Sequence, residues 1–194
     1  MSVEPALPVF GYASLLNKTT LPPGTHLERA ELRGWIRQWR SPQPVPTGRI
    51  CALTISRRAN ATLQGAIFLT NTHVDANLAV REKTYVSIED DVHRAGRSAR
   101  AIIYTAPVQE LSWARAECPV CLSYVDCVLQ GYYRMYGVDG VRAFVATTEG
   151  WELPFQDDRR NPRYPRSVSL TATEKDIFDA ILRERGIAYH YTSN

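Results

Sequence analysis

The chain has 194 residues, of which 44% are hydrophobic and 22% charged, a composition typical of one globular domain. The net charge of +3 is too small to indicate a nucleic-acid partner, and no apolar run reaches the roughly 18 residues of a membrane helix. Residues 1–8 carry a glutamate and two prolines, which is not typical of a signal peptide. We therefore expect a single domain over residues 1–194, soluble and cytoplasmic, with no membrane partner and an undetermined oligomeric state.

Strand-like segments dominate the first half of the chain, because β-branched and aromatic residues are enriched there between turn signals. They cover residues 9–12, 26–32, 35–39, 49–56, 63–70, 84–89 and 99–105. Residues 58–61 resemble a turn, and the proline-rich residues 41–48 are predicted to form a stiff crossing. Several short strands in series predict a small, curved, β-barrel-like mixed sheet.

Helices are predicted in the second half, over residues 122–136, 140–147 and 172–185. Gly137 stands where the first of them ends, and Thr171 with Glu174 forms a capping box for the last. The residues between the second and third helices, 147–166, are predicted to form an ordered strap. The fold class is therefore α+β, with helices packed outside the barrel and a helical and strap extension from about residue 122.

The four cysteines leave three interpretations open: a zinc site, a redox pair or ordinary reduced thiols. Cys118 and Cys121 form a C-P-V-C pair, but a structural zinc site normally needs a second pair at similar spacing. Cys127 falls in a helical apolar pattern and is interpreted as a core residue. Reduced thiols are the favoured interpretation, so we expect neither a metal nor a cofactor.

A further helix is predicted over residues 73–83, with Thr72 and Asp75 at its N-terminal cap. Its apolar stripe consists of Val74, Leu78 and Ala79. Four residues beyond Leu78 on that stripe lies Glu82, so its carboxylate faces the interior. Such a carboxylate is either paired, for example with Arg81, or a general acid/base whose pKa is raised by desolvation. The spacing alone does not choose between the two.

Four segments of the first half form an ordered set of motifs. They are Tyr12-Ala13-Ser14-Leu15, "LRGWIRQWR" at 32–40, "LQGAIF" at 63–68 and "NLAVREKTY" at 77–85. In order and spacing across about residues 8–106, they resemble the Tyr-Gly-Ser-Leu, Gly-x-x-Arg, Gly-hydrophobic and Leu-x-x-Arg-Glu motifs of the gamma-glutamylcyclotransferase superfamily. The likeness is nearer to its ChaC-like branch than to its shorter members.

The resemblance implies an enzyme that cyclises a small γ-glutamyl substrate to 5-oxoproline, as in glutathione metabolism, and releases an amine or amino acid. It implies Glu82 as the catalytic general acid/base, without cofactor or metal. The implied substrate-binding residues are Tyr12, Ala13, Ser14, Leu15 and Tyr85.

Ala13 replaces a glycine of the family motif, and its methyl group would strain the turn if this position required a positive φ. Two alternatives therefore stay open. One is a related enzyme acting on a γ-glutamylated amine or a biosynthetic intermediate. The other is a catalytically silent binding or interaction protein that retains the fold.

Overall fold

Five strands close into a barrel in the computed structural model, which describes residues 7–69 and 72–191 apart from the side chains of 72–75, 190 and 191. They are β1 (Val9–Gly11), β2 (Glu28–Val45), β3 (Gly48–Phe68), β4 (Val86–Arg94) and β5 (Arg97–Thr105). The strands follow the order β3-β1-β5-β4-β2, and β2 also pairs with β3, which closes the sheet. Because β1 and β5 are parallel and the other barrel pairs antiparallel, the sheet is mixed. The predicted barrel-like α+β fold is confirmed.

The hairpin of β2 and β3 replaces four of the predicted strands. The predicted stiff crossing at 41–48 is wrong, because pairing continues to Val45 opposite Gly48. Pro42 stands opposite Cys51, whose amide donates outside the pair to the Pro119 carbonyl at 2.8 Å. Pro42, and Pro44 two residues further on, therefore occupy non-hydrogen-bonded positions, where proline removes no hydrogen bond of the ladder.

The predicted turn at 58–61 is also wrong, because β3 runs through it as a bulge. The pairing register steps across Gly34, so these four residues of β3 stand opposite that one residue of β2. Gly34 has a φ of 78° and Asn60 a φ of 64°, values that glycine and asparagine adopt most readily. The polar signal thus marks a local irregularity in a long strand. The predicted strand at 84–89 begins later, at Val86, and extends to Arg94.

Three helices pack outside the barrel: α1 (Thr72–Arg81), α2 (Leu122–Ala146) and α3 (Ala172–Glu184). The predicted helices 122–136 and 140–147 form one run that is kinked at Gly137, where φ is 71°. The predicted capping box of α3 is confirmed, because the Thr171 side chain accepts from the Glu174 amide and Glu174 accepts from the Thr171 amide. The predicted cap of α1 by the side chains of Thr72 and Asp75 lies outside the described residues.

Four short strands complete the fold: β6 (Val120–Cys121), β7 (Thr148–Glu149), β8 (Phe155–Asp157) and β9 (His190–Tyr191). The sequence does not predict them. β7 extends the barrel sheet beside β2, and β8 lies between β6 and β9. Within the strap, Trp151 stacks on Phe155 with ring centroids 5.5 Å apart, and both rings meet Trp39 of β2 edge-on. The strap, residues 147–166, therefore packs against the barrel core.

Candidate active site

A cavity of about 240 Å³ lies where the turn after β1, the β2–β3 hairpin, the end of α1 and the strap meet. All the predicted site residues line it: Tyr12, Ala13, Ser14, Leu15, Glu82 and Tyr85. Sequence reasoning did not assign four further lining residues, namely Arg81, Tyr124, Tyr164 and Arg166. The fold thus brings two predicted motifs, 67 residues apart at Ser14 and Arg81, to one cavity.

The turn after β1 folds tightly back on that strand. A Cβ at Gly11 would lie 2.7 Å from the Cβ of Leu15, closer than real carbon atoms approach. The chain then forms a 3₁₀ turn over Ser14–Leu16, in which the Leu16 amide donates to the Ala13 carbonyl at 3.0 Å. Ala13 itself has a φ of −140°, so its methyl group causes no left-handed strain. The steric need for glycine falls on Gly11, two residues before Ala13.

Arg37 of β2 supports this turn from inside the barrel. Its fully buried guanidinium donates from Nε to the Tyr12 carbonyl at 3.0 Å and from Nη2 to the Gln64 carbonyl at 2.7 Å. The ring of Tyr132 lies 5.1 Å away, and its hydroxyl accepts from Nη2 at 2.8 Å. Burial lowers the pKa of Arg37, and these carbonyl and aromatic contacts stabilise the buried charge. The arginine of the Gly-x-x-Arg motif therefore holds the backbone at the first residue of the turn.

Glu82 follows directly after α1, and its side chain is 10% exposed. Its amide still donates to the Leu78 carbonyl at 2.8 Å, which continues the helical geometry and places the carboxylate on the predicted inward face. Oε1 lies 3.3 Å from Nε of Arg81. Arg81 in turn donates from Nη2 to Ser14 Oγ at 3.0 Å, so this arginine connects Glu82 with the turn after β1.

The electrostatic setting of Glu82 includes both an ion pair and desolvation. Burial raises the pKa of Glu82 above its ordinary value, while the positive charges of Arg81 and Arg166 act in the opposite direction. The carboxylate is therefore paired and also easier to protonate than an exposed one. Among the described residues that line the cavity, Glu82 is the one carboxylate.

Tyrosine side chains line the cavity with neutral hydroxyls. Tyr12 Oη donates to the Tyr104 carbonyl at 2.8 Å, and Tyr85 Oη donates to the Leu53 carbonyl at 3.2 Å. Burial raises the pKa of Tyr12, Tyr85 and Tyr124 well above the ordinary value. These side chains remain protonated at neutral pH, so none of them supplies a base.

The cysteines lie outside the cavity lining. Cys51, Cys118, Cys121 and Cys127 are buried free thiols, and burial raises the pKa of Cys51, Cys121 and Cys127 to about 12. Within residues 7–69 and 72–191, no group of three histidine, cysteine or acidic side chains is placed to hold a metal ion. In the same residues, no helix is long and apolar enough to cross a bilayer.

The fold is shared with three solved structures. A gamma-glutamyl cyclotransferase superposes with a TM-score of 0.58 and 15% identity, over 90% of this chain and 98% of that one. An uncharacterised human protein gives a TM-score of 0.59 and 16% identity, over 89% and 98%. YkqA from Bacillus subtilis gives 0.55 and 16%, over 77% of this chain and 57% of that one.

No protein-family model matches the sequence, and no curated protein matches it either. The structural likeness nevertheless extends over nearly the whole chain. The chain therefore has the gamma-glutamyl cyclotransferase-like fold that the four motifs predicted.

Proposed function

We propose that this protein is a gamma-glutamylcyclotransferase that uses Glu82 as its general acid/base. The α-amine of the γ-glutamyl group attacks the side-chain amide carbonyl and forms a new C–N bond. The original amide C–N bond then breaks, which gives 5-oxoproline and a free amine or amino acid. The attacking nitrogen, an ammonium before the reaction, loses two protons in becoming the ring N–H. The leaving nitrogen gains two protons and departs as an ammonium, so the protons balance and no water or other reactant is consumed.

The observation that carries this proposal is a single buried carboxylate in the cavity of a cyclotransferase-like fold. A group that accepts a proton and later returns it works best when its pKa lies near the operating pH. Burial moves Glu82 in that direction. Its contact with Arg81 fixes the carboxylate beside the turn after β1, which aligns the base with a substrate held at that turn.

The turn after β1 suits the anionic parts of the substrate. The first amides of a helical turn lack an intrahelical acceptor, and here they belong to residues that line the cavity. We infer that these amides donate to the substrate α-carboxylate or to the oxyanion that develops on the attacked carbonyl. Because nucleophile and carbonyl belong to one molecule, orientation contributes much of the rate, and the mechanism requires neither metal nor cofactor.

The test is release of 5-oxoproline from a panel of γ-glutamyl amino acids, γ-glutamyl amines and glutathione. We expect turnover by the wild-type protein and at least a roughly 10²–10⁴-fold loss in Glu82→Gln. Turnover of amines alone would favour the related enzyme that acts on a γ-glutamylated amine. Binding without turnover would instead favour the silent binding protein. Cytoplasmic localisation and membership of the ChaC-like branch stay predictions.

A further inference from the structure

The charged residues of the cavity are predominantly positive. Arg81, Lys83 and Arg166 line it together with one carboxylate, Glu82. Arg81 is already engaged, because its nitrogens contact Glu82, Ser14 and Thr20 at 3.0–3.3 Å. Lys83 is exposed to solvent. The positive charges of the cavity therefore outnumber its one carboxylate, which favours binding of an anionic ligand.

Arg166 is a cation of the cavity lining that, unlike Arg81, has no hydrogen-bond or ion-pair partner among the described residues. It lies near the end of the strap, is partly buried, and lines the cavity beside Tyr164 and Pro165. Within the described part of the chain, its guanidinium donates no hydrogen bond and forms no ion pair. It is close enough to Glu82 for its charge to lower the pKa of that carboxyl.

A partly buried guanidinium without a partner is unusual, because desolvating a charge is unfavourable unless it is paired. The planar fork of arginine matches a carboxylate, to which it can donate two parallel hydrogen bonds. Under the proposed function, the amides of the turn after β1 already bind one carboxylate of the substrate. A substrate with one carboxylate would therefore leave Arg166 unpaired.

We propose that Arg166 is a specificity-determining residue that binds a second carboxylate, carried by the leaving group. This inference rests on the proposed cyclotransferase function and extends it to the part of the substrate that departs. The protein then selects γ-glutamyl amino acids and peptides over γ-glutamyl amines. Arg166 recognises the leaving group rather than the reacting atoms. Because its charge also lowers the pKa of Glu82, the substrates are compared at a pH above the acid limb of the reaction.

The experiment compares γ-glutamyl-alanine with γ-glutamyl-ethylamide, which lacks only the leaving-group carboxylate. For Arg166→Gln, we expect kcat/KM for the dipeptide to fall about 10- to 100-fold, the range of a lost charge-assisted hydrogen bond. The ethylamide should change less than about twofold, and Arg166→Lys should restore part of the dipeptide activity. Equal losses of kcat/KM on both substrates would show that Arg166 contacts the γ-glutamyl group that they share. No loss on either substrate would show that Arg166 binds neither of them. Each of these outcomes overturns the proposal.

Two measurements separate this proposal from the proposed function. Arg97→Gln removes an exposed arginine at the start of β5, outside the cavity lining, and should leave both substrates unaffected. Calorimetric titration of both compounds into wild type and Arg166→Gln reads recognition directly. If the wild type binds the dipeptide more tightly than the ethylamide but forms no 5-oxoproline, only the cyclotransferase assignment fails. If the wild type binds neither compound, both proposals are wrong.

Discussion

Replacing Glu82 by glutamine separates a proton-transfer role from a structural ion pair. The substitution keeps the side-chain volume and removes the charge. The contact that it weakens is a single one, from Arg81 Nε to Oε1 at 3.3 Å, and a glutamine oxygen can still accept there. Arg81 also retains its hydrogen bonds to Ser14 and Thr20. The guanidinium is therefore not left without partners, as it would be in the loss of an isolated buried pair.

The direction of the pKa shift gives the sign of the effect on stability. The pKa of Glu82 is raised in the folded protein, so the folded state binds its proton more tightly than the unfolded state does. Its contribution to stability is present below the unfolded pKa and is lost as pH rises through the folded pKa. At pH 7 the glutamine variant should therefore be at least as stable as the wild type. We expect its unfolding free energy to change by less than about 1 kcal/mol, or its Tm by less than roughly 4 °C.

Glu174→Gln is the matched control, because the pKa of Glu174 is lowered in the folded protein whereas that of Glu82 is raised. The Glu174 carboxylate accepts from the Thr171 amide at 2.9 Å and pairs with Arg134 at 3.3 Å. Its desolvation is outweighed by these hydrogen bonds, so its pKa is lowered, and its contribution to stability is present at neutral pH. A glutamine oxygen can still accept from the Thr171 amide, so only the charge-assisted part of these contacts is lost, and the unfolding free energy should fall by about 0.5–1.5 kcal/mol. Turnover should not change, since Glu174 does not line the cavity.

Thermal unfolding and 5-oxoproline formation, measured on both variants, decide the role of Glu82. The catalytic interpretation requires a stable Glu82→Gln protein whose turnover falls at least about 10²-fold. A stable protein with near-normal turnover would refute the catalytic assignment. A loss of about 3–5 kcal/mol in stability would show that the carboxylate serves mainly to pair a buried arginine.

Four further predictions concern the site. In a pH profile of kcat/KM, the acid limb should lie above 4.5, the ordinary pKa of glutamate, because burial raises the pKa of Glu82; Arg166→Gln should move it to higher pH. Gly11→Ala should lower the unfolding free energy in urea by about 1–3 kcal/mol, because its methyl would lie 2.7 Å from Leu15 Cβ. Ala13→Gly, at a φ of −140°, should change it by less than about 1 kcal/mol and keep substrate affinity within about tenfold. Exhaustive chelation should leave 5-oxoproline formation intact, since attack by an internal amine needs no Lewis acid.

The sequence predicted correctly those features that depend only on residues close together in the chain. The capping box at Thr171 and the break at Gly137 depend on a few neighbouring residues, and both are present. The inward face of Glu82 also follows from helical spacing, since its amide continues the hydrogen bonding of α1. By contrast, Pro42 and Pro44 predict the end of a strand from the sequence alone. Their true setting depends on which residues of β3 pair with them, and the sequence does not show this. Opposite Cys51 and Arg49 they occupy positions that need no amide donor.

The site residues that sequence reasoning missed reach the cavity through contacts between segments that are far apart in the sequence. Arg166 and Tyr164 reach the cavity because the strap is tied to the barrel by Trp151 and Phe155, which both meet Trp39. No spacing within the strap indicates that direction. Its prolines and charges are equally typical of a surface loop, so only the folded arrangement could place these residues beside Glu82.

In the turn after β1, the residue that must be glycine and the residue that shapes the cavity wall are different positions. Gly11 is constrained by the approach of Leu15, whereas Ala13 has a negative φ of −140° and lines the cavity. A side chain at position 13 therefore alters the cavity wall without altering the turn that supports it. The backbone of Tyr12 stays fixed through its carbonyl, which accepts from Arg37 at 3.0 Å. If the proposed function is right, changing one methyl group at position 13 should alter substrate affinity without moving the turn or the carboxylate of Glu82.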